Sequence, residues 1–149
     1  MGLMQDIGRG PIALDTVAFI YLIEEHPRFL PVVEPVFTAI DAGRLSAVTS
    51  SLTLLEVLVV PYRGGDRGLA DRYEQILSHG RGLDLREIDR AQLRAAAHLR
   101  ATHRELRSPD AIQIAAALAA GCATFLTNDR DLPSIPGLTV LQLRDYAGS

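Results

Sequence analysis

Four carboxylates stand where they could do chemistry together: Asp15, Glu56, Asp110 and Asp129. Asp15 ends the short apolar run Pro11-Ile12-Ala13-Leu14, and Asp129 follows the run Cys122 to Thr127. Both therefore fall just past a predicted strand. Glu56 comes early in a predicted helix, between Leu55 and Val57, and those apolar flanks predict a carboxylate drawn out of water. Asp110 lies in the first turn of a helix opened by Ser108-Pro109. Three of these acids also have a plain structural use, whereas Glu56 between its apolar flanks is harder to explain that way. Asp15 could cap a helix from Thr16, Asp110 could complement a helix dipole, and Asp129 could shape a turn. Gathered together they would repel one another, and a divalent cation would relieve that cost. An all-oxygen donor set suits Mg2+ or Mn2+, ions that can activate a water and neutralise the charge on a phosphodiester.

The other side chains narrow the chemistry. All 15 basic residues are arginine. Without lysine there is neither a G-x-x-x-x-G-K-[ST] phosphate loop nor Schiff-base catalysis. Cys122 is the single cysteine, which excludes an internal disulfide and a multi-cysteine zinc site; it reads as a small buried side chain. His26, His79, His98 and His103 are scattered, and His98 and His103, five apart, do not share a helix face. No G-x-S-x-G elbow is present. A receiver-type phosphoryl-transfer domain also gathers aspartates at a sheet edge, but it uses a lysine that this chain lacks.

The elements that must position these acids alternate along the chain. Strands are expected at 11–15, 45–49, 83–88, 122–127 and 138–143. Helices are expected at 16–24, 32–42, from Ser50 or Ser51 to Pro61 and Gly64-Gly65, at 68–78, 90–105 and 108–120. Asp89 and Ser108 read as helix caps. This alternation argues for a three-layer α/β domain with a mostly parallel, five-stranded sheet. In such sheets the ligand site lies at the carboxyl ends of the strands.

At 149 residues the chain suits one domain, and 48% hydrophobic with 22% charged residues is ordinary for a globular protein. The net charge of −3 argues against a general nucleic-acid binder. It is unevenly spread, however. Residues 63–107 carry ten arginines against seven acids, while both flanking segments are net acidic. That fits either an acidic metal site beside a phosphate-binding surface or a solvated face of intrahelical ion pairs. The N-terminus lacks the basic and apolar regions of a secretory signal. The stretch Ala111 to Leu126 is interrupted by Gln113 and is shorter than the roughly 20 residues that span a bilayer. A cytoplasmic protein without a membrane span is expected.

Taken in order, Leu14-Asp15-Thr16 with Phe19-Ile20-Tyr21-Leu22, Thr49 to Val57, Ser108-Pro109-Asp110-Ala111-Ile112-Gln113 with the alanines beyond, and Phe125 to Leu132 resemble the motifs of a PIN domain. The resemblance covers residues 12–143 of the 149, leaving residues 1–11 as an extension or short arm. It implies an α/β/α fold and Mg2+- or Mn2+-dependent cleavage, usually of RNA. At this length the chain is most similar to the toxin of a bacterial VapBC-type toxin–antitoxin pair, typically a homodimer silenced by a small antitoxin. Carried over by residue, Asp15, Glu56, Asp110 and Asp129 match the family's metal-binding and catalytic acids. Thr127 and Asn128 match the polar approach to the fourth acid. Ser50 or Ser51 is implied as a supporting hydroxyl, and Asp131 is a lesser candidate. Val17 departs from the asparagine many members carry there. Arginines between Arg63 and Arg107 are expected to hold the RNA backbone. The alternative is a non-catalytic PIN-like module that binds RNA or protein.

Overall fold

Alternation along the strands decides which way each side chain faces. Ile12, Leu14, Ala47 and Leu126 belong to one apolar cluster, while Ala13, Val48 and Phe125, their neighbours in sequence, belong to another. The sheet therefore needs cover on both faces, and helices provide it. The computed structural model describes residues 2–148. Met1 and Ser149, the ends of the expected domain, lie outside the described residues.

The strands are β1 (Ile12–Leu14), β2 (Ala47–Ser50), β3 (Leu83–Arg86), β4 (Thr124–Thr127) and β5 (Thr139–Gln142). The helices are α1 (Leu3–Ile7), α2 (Thr16–Ile23), α3 (Leu30–Asp41), α4 (Leu52–Gly64), α5 (Arg67–His79), α6 (Arg90–Thr102) and α7 (Ser108–Ala119). A 3-10 turn, Leu143–Asp145, follows β5. The sheet order is β3-β2-β1-β4-β5, and every pairing is parallel, so the expected mostly parallel sheet is in fact wholly parallel. Helices α1 to α5 contribute to the core on one face, α6 and α7 to the core on the other. This is the three-layer α/β/α architecture expected from the alternation.

The topology sets the position of a site. From β1 the chain steps outward through β2 to β3, then returns to lay β4 on the other side of β1. The order reverses between β1 and β4, and the crevice outside the carboxyl ends of those strands is where open α/β sheets bind ligands. Asp15 and Asp129 follow these two strands.

Several local expectations are corrected. Pro61 does not stop α4. It lies inside the helix with its ring buried, and the helix continues to Gly64, closed by Gly65 in the left-handed region at φ 68°. One lost backbone hydrogen bond is tolerated where the ring packs into the core. Ser108 is not the cap of α7: Arg107 occupies that position, and the Ser108 hydroxyl instead accepts a 2.9 Å bond from Arg100 Nη1. Asp89 does cap α6, accepting from the Gln92 amide at 2.8 Å. Residues 3–7 form a helix whose Leu3 and Ile7 are buried in the main cluster, and Asp6 accepts a 2.5 Å bond from the Tyr146 hydroxyl. Cys122 is buried, as expected, and burial pushes its thiol up to about 11.

Candidate active site

Asp15 does two jobs at once. It caps α2, with Oδ1 accepting from the Thr16 amide at 2.8 Å, and its Oδ2 accepts from the Thr127 hydroxyl at 2.7 Å. Thr127 ends β4, so this bond ties the carboxyl ends of the two strands at the switch point. Thr127 Oγ1 also accepts from the Asp129 amide at 3.1 Å, and Asp129 Oδ1 accepts from the Asp131 amide at 2.9 Å. The loop after β4 is thus shaped by a relay of short polar side chains, as Asx and Ser/Thr turns do. Asn128 faces elsewhere. Its Nδ2 donates to the Tyr21 hydroxyl at 3.0 Å, and its Oδ1 accepts from the Arg144 backbone and Nε, both at 3.0 Å.

Asp110, Asp129 and Asp131 line one cleft of about 710 Å³, with Glu105 and Arg107 at its rim. Arg107 Nε lies 3.9 Å from Asp110 Oδ2. Of the arginines between 63 and 107, Arg107 alone lines this cleft. Others serve the protein itself: Arg100 ties α6 to Leu106 and Ser108, Arg86 pairs with Asp84 at 3.4 Å, and Arg72 bonds the Ile23 carbonyl at 3.4 Å.

Glu56 overturns one expectation. It is exposed, and so is Leu55, whereas Val57 is buried. Successive helix residues point about 100° apart, so apolar neighbours in sequence do not put an acid on the buried face. What holds Glu56 is a hydroxyl: Thr16 Oγ1 donates to Glu56 Oε1 at 2.6 Å. Ser50 contributes to the start of α4, its Oγ accepting from the Leu52 amide at 3.1 Å, and Ser51 is the cap position without a side-chain bond.

The acids share a field. Burial raises the Asp15 carboxyl to about 6, with the charges of Asp110 and Glu56 adding to it, against the bonds from Thr127 and Thr16 that lower it. Asp110 is also raised, first by burial and then by Asp129 and Glu56, with Arg107 opposing. Yet among the described residues no three His, Cys, Asp or Glu side chains lie close enough to hold one metal ion. The carboxylates occupy one edge without converging on one point. Three have a hydrogen-bonded tether, Glu56 at Thr16, Asp129 at the Asp131 amide and Asp15 at Thr127, while Asp110 has the 3.9 Å ion pair with Arg107. The donor set is all oxygen and its charges oppose one another, which suits a hard divalent cation in chemistry.

The sequence reading missed Gln113. It stands three residues after Asp110 on α7, is 3% exposed, and bonds across to α2, β2 and α4. A lone polar side chain in the apolar run Ala111 to Ala117 was the signal for it.

A family model described as PIN domain matches residues 12–138. Comparison with curated proteins gave no match. Among solved structures, the chain is similar to VapBC2 from Rickettsia felis bound to a DNA fragment from its promoter. Identity there is 17% and the TM-score 0.68, over 89% of this chain and 98% of that one. A toxin–antitoxin complex from Klebsiella pneumoniae aligns at 21% identity and TM-score 0.65, over 89% and 97%. DNA-bound VapBC from Salmonella typhimurium aligns at 20% and 0.60, over 89% and 98%. At these identities the structures speak for the fold, while the family match spans most of the sequence: the chain belongs to the PIN domain family.

Proposed function

We propose that this protein is a Mg2+- or Mn2+-dependent endoribonuclease and the toxin of a VapBC-type toxin–antitoxin pair. The observation that carries the reading is the acidic cleft beside the carboxyl end of β4, lined by half-buried Asp110 and Asp129, with Asp15 near enough to feel the charge of Asp110. We assign the cation to Asp15, Glu56, Asp110 and Asp129, whose side chains would turn toward one another to share it. Such an ion would supply charge to neutralise the phosphodiester and to acidify the attacking water. The chain's own share is positional. Thr127 and the Thr16 amide fix the Asp15 carboxylate, Thr16 fixes Glu56, and Asp129 or Asp131, both lining the cleft, would take a proton from the attacking water. Arg107, 80% exposed on the cleft rim, offers a guanidinium to the RNA backbone, which favours affinity over sequence choice.

An antitoxin partner is supported by the structural neighbours, one described as a toxin–antitoxin complex and two as VapBC bound to DNA. A strip on α4 supports a partner of some kind: Leu55, Val59 and Tyr62, spaced to share one helix face, are 62%, 39% and 63% exposed. We assign the chain a cognate antitoxin and a second copy of itself, in the cytoplasm. No helix among the described residues is long and apolar enough to cross a membrane.

The spread of the carboxylates favours a second reading, a non-catalytic PIN-like module that binds RNA or protein. Purified protein incubated with total bacterial RNA decides between them. The nuclease cuts with Mg2+ or Mn2+ and stops with chelator. Retained RNA with no cut under any metal condition would favour the module.

A further inference from the structure

The buried polar residues beneath the site form a cluster whose protons can all be assigned. The Ser50 amide can only donate, and it donates to Gln113 Oε1 at 3.2 Å. That fixes the Gln113 amide, so its Nε2 faces the hydroxyls: Thr53 at 2.8 Å and Thr16 at a longer 3.5 Å. At the far end the Leu14 carbonyl can only accept, so it takes the Thr49 proton at 2.8 Å. Thr49 must then accept from Thr53, 2.8 Å away. Thr16 receives the second Gln113 proton, and its own proton is left for Glu56 Oε1 at 2.6 Å. The 3.3 Å contact between Thr16 and Thr53 carries no proton in this arrangement. Six donor protons meet six acceptors without remainder.

We propose that Gln113 is a positioning residue for Glu56: its buried amide makes Thr16 a donor with Glu56 as its outlet, and so holds an exposed acid against the site. Glu56 has no burial to restrain its rotamer. The Thr16 hydroxyl supplies the restraint, and Gln113 removes the alternative in which that hydroxyl points back into the core. Gln113 itself is pinned by a backbone amide at the end of β2, beside the start of the helix that carries Glu56. Outer hydrogen-bond partners of metal ligands act in this way.

The inference rests on the nuclease reading, and the test separates the two. Mn2+ binding by wild type, Gln113→Met, Glu56→Gln and the double variant is measured by electron paramagnetic resonance titration, without RNA, beside thermal melts. Gln113→Met is expected to weaken Mn2+ binding about tenfold in the wild-type background and to change little once Glu56→Gln is present. Wild-type affinity in Gln113→Met, or the same fold-loss in both backgrounds, overturns the positioning role alone. A wild type that binds no Mn2+ overturns the nuclease reading and this inference with it. If Gln113→Met does not fold, Thr16→Val must give the same loss and Thr16→Ser must recover most of it. Thr16→Val without a loss overturns the proposal.

Discussion

Asp15 concentrates the chemistry of the site in one side chain. Its carboxyl is raised to about 6 from an ordinary 3.8, chiefly by burial, so the folded protein binds that proton more tightly than the unfolded chain. Stability from this group is therefore fully present below about pH 4 and is lost as pH rises towards 6. In metal-free protein, Asp15→Asn should be more stable than wild type at pH 7.5, by about 3 kcal/mol from a shift of that size. The advantage should vanish below pH 4. Denaturant melts across that range check this, and an advantage that stays constant with pH would contradict it. Residue scale is also where the sequence was both most and least informative. Asp15 and Asp129 could be placed because a strand's end is visible in its apolar run. Glu56 was assigned the wrong environment because its flanks, Leu55 and Val57, lie on different faces from it. The lone polar Gln113 in an apolar run marks a buried polar position, but its bonds to Ser50, Thr53 and Thr16 cross 60 to 97 positions of sequence, and no local pattern names those partners.

At the scale of elements, period and punctuation located five strands and six helices, and ends shifted by a few residues. Pro61 and Ser108 show why. A proline that would break an exposed helix is accepted when its ring is buried, and a serine that could cap a helix is drawn to an arginine from the neighbouring one. The helix α1 was not foreseen at all: five residues with two apolar side chains carry little periodic signal. Packing makes it matter, because Leu3 and Ile7 join the main core. Ile7→Ala should cost about 2 kcal/mol, at the low end for such truncations because the edge of a core can relax. Chemical denaturation reads the loss, and Mn2+ affinity should be unchanged. A variant as stable as wild type would show α1 to be dispensable to the fold.

At the scale of the molecule, the winding of parallel strands in the order β3-β2-β1-β4-β5 puts residues from distant parts of the chain on one edge. The fold class was legible because strands and helices alternate; the depth and spacing of the acids were not, because they depend on side-chain tethers such as Thr127 to Asp15 and Thr16 to Glu56. The exposed apolar strip on α4 belongs to this scale too, since covering it requires another chain. Light scattering at micromolar concentration should return twice the chain's mass for the antitoxin-free protein, and a monomer would contradict the homodimer.

The most direct test of the central claim compares wild type with Asp110→Asn on the same bacterial RNA in Mn2+, with melts recorded in parallel. Cleavage by wild type, and none by a variant that melts like a folded protein, is the expected result. A folded Asp110→Asn that cuts at the wild-type rate would remove the acidic cleft from the reaction.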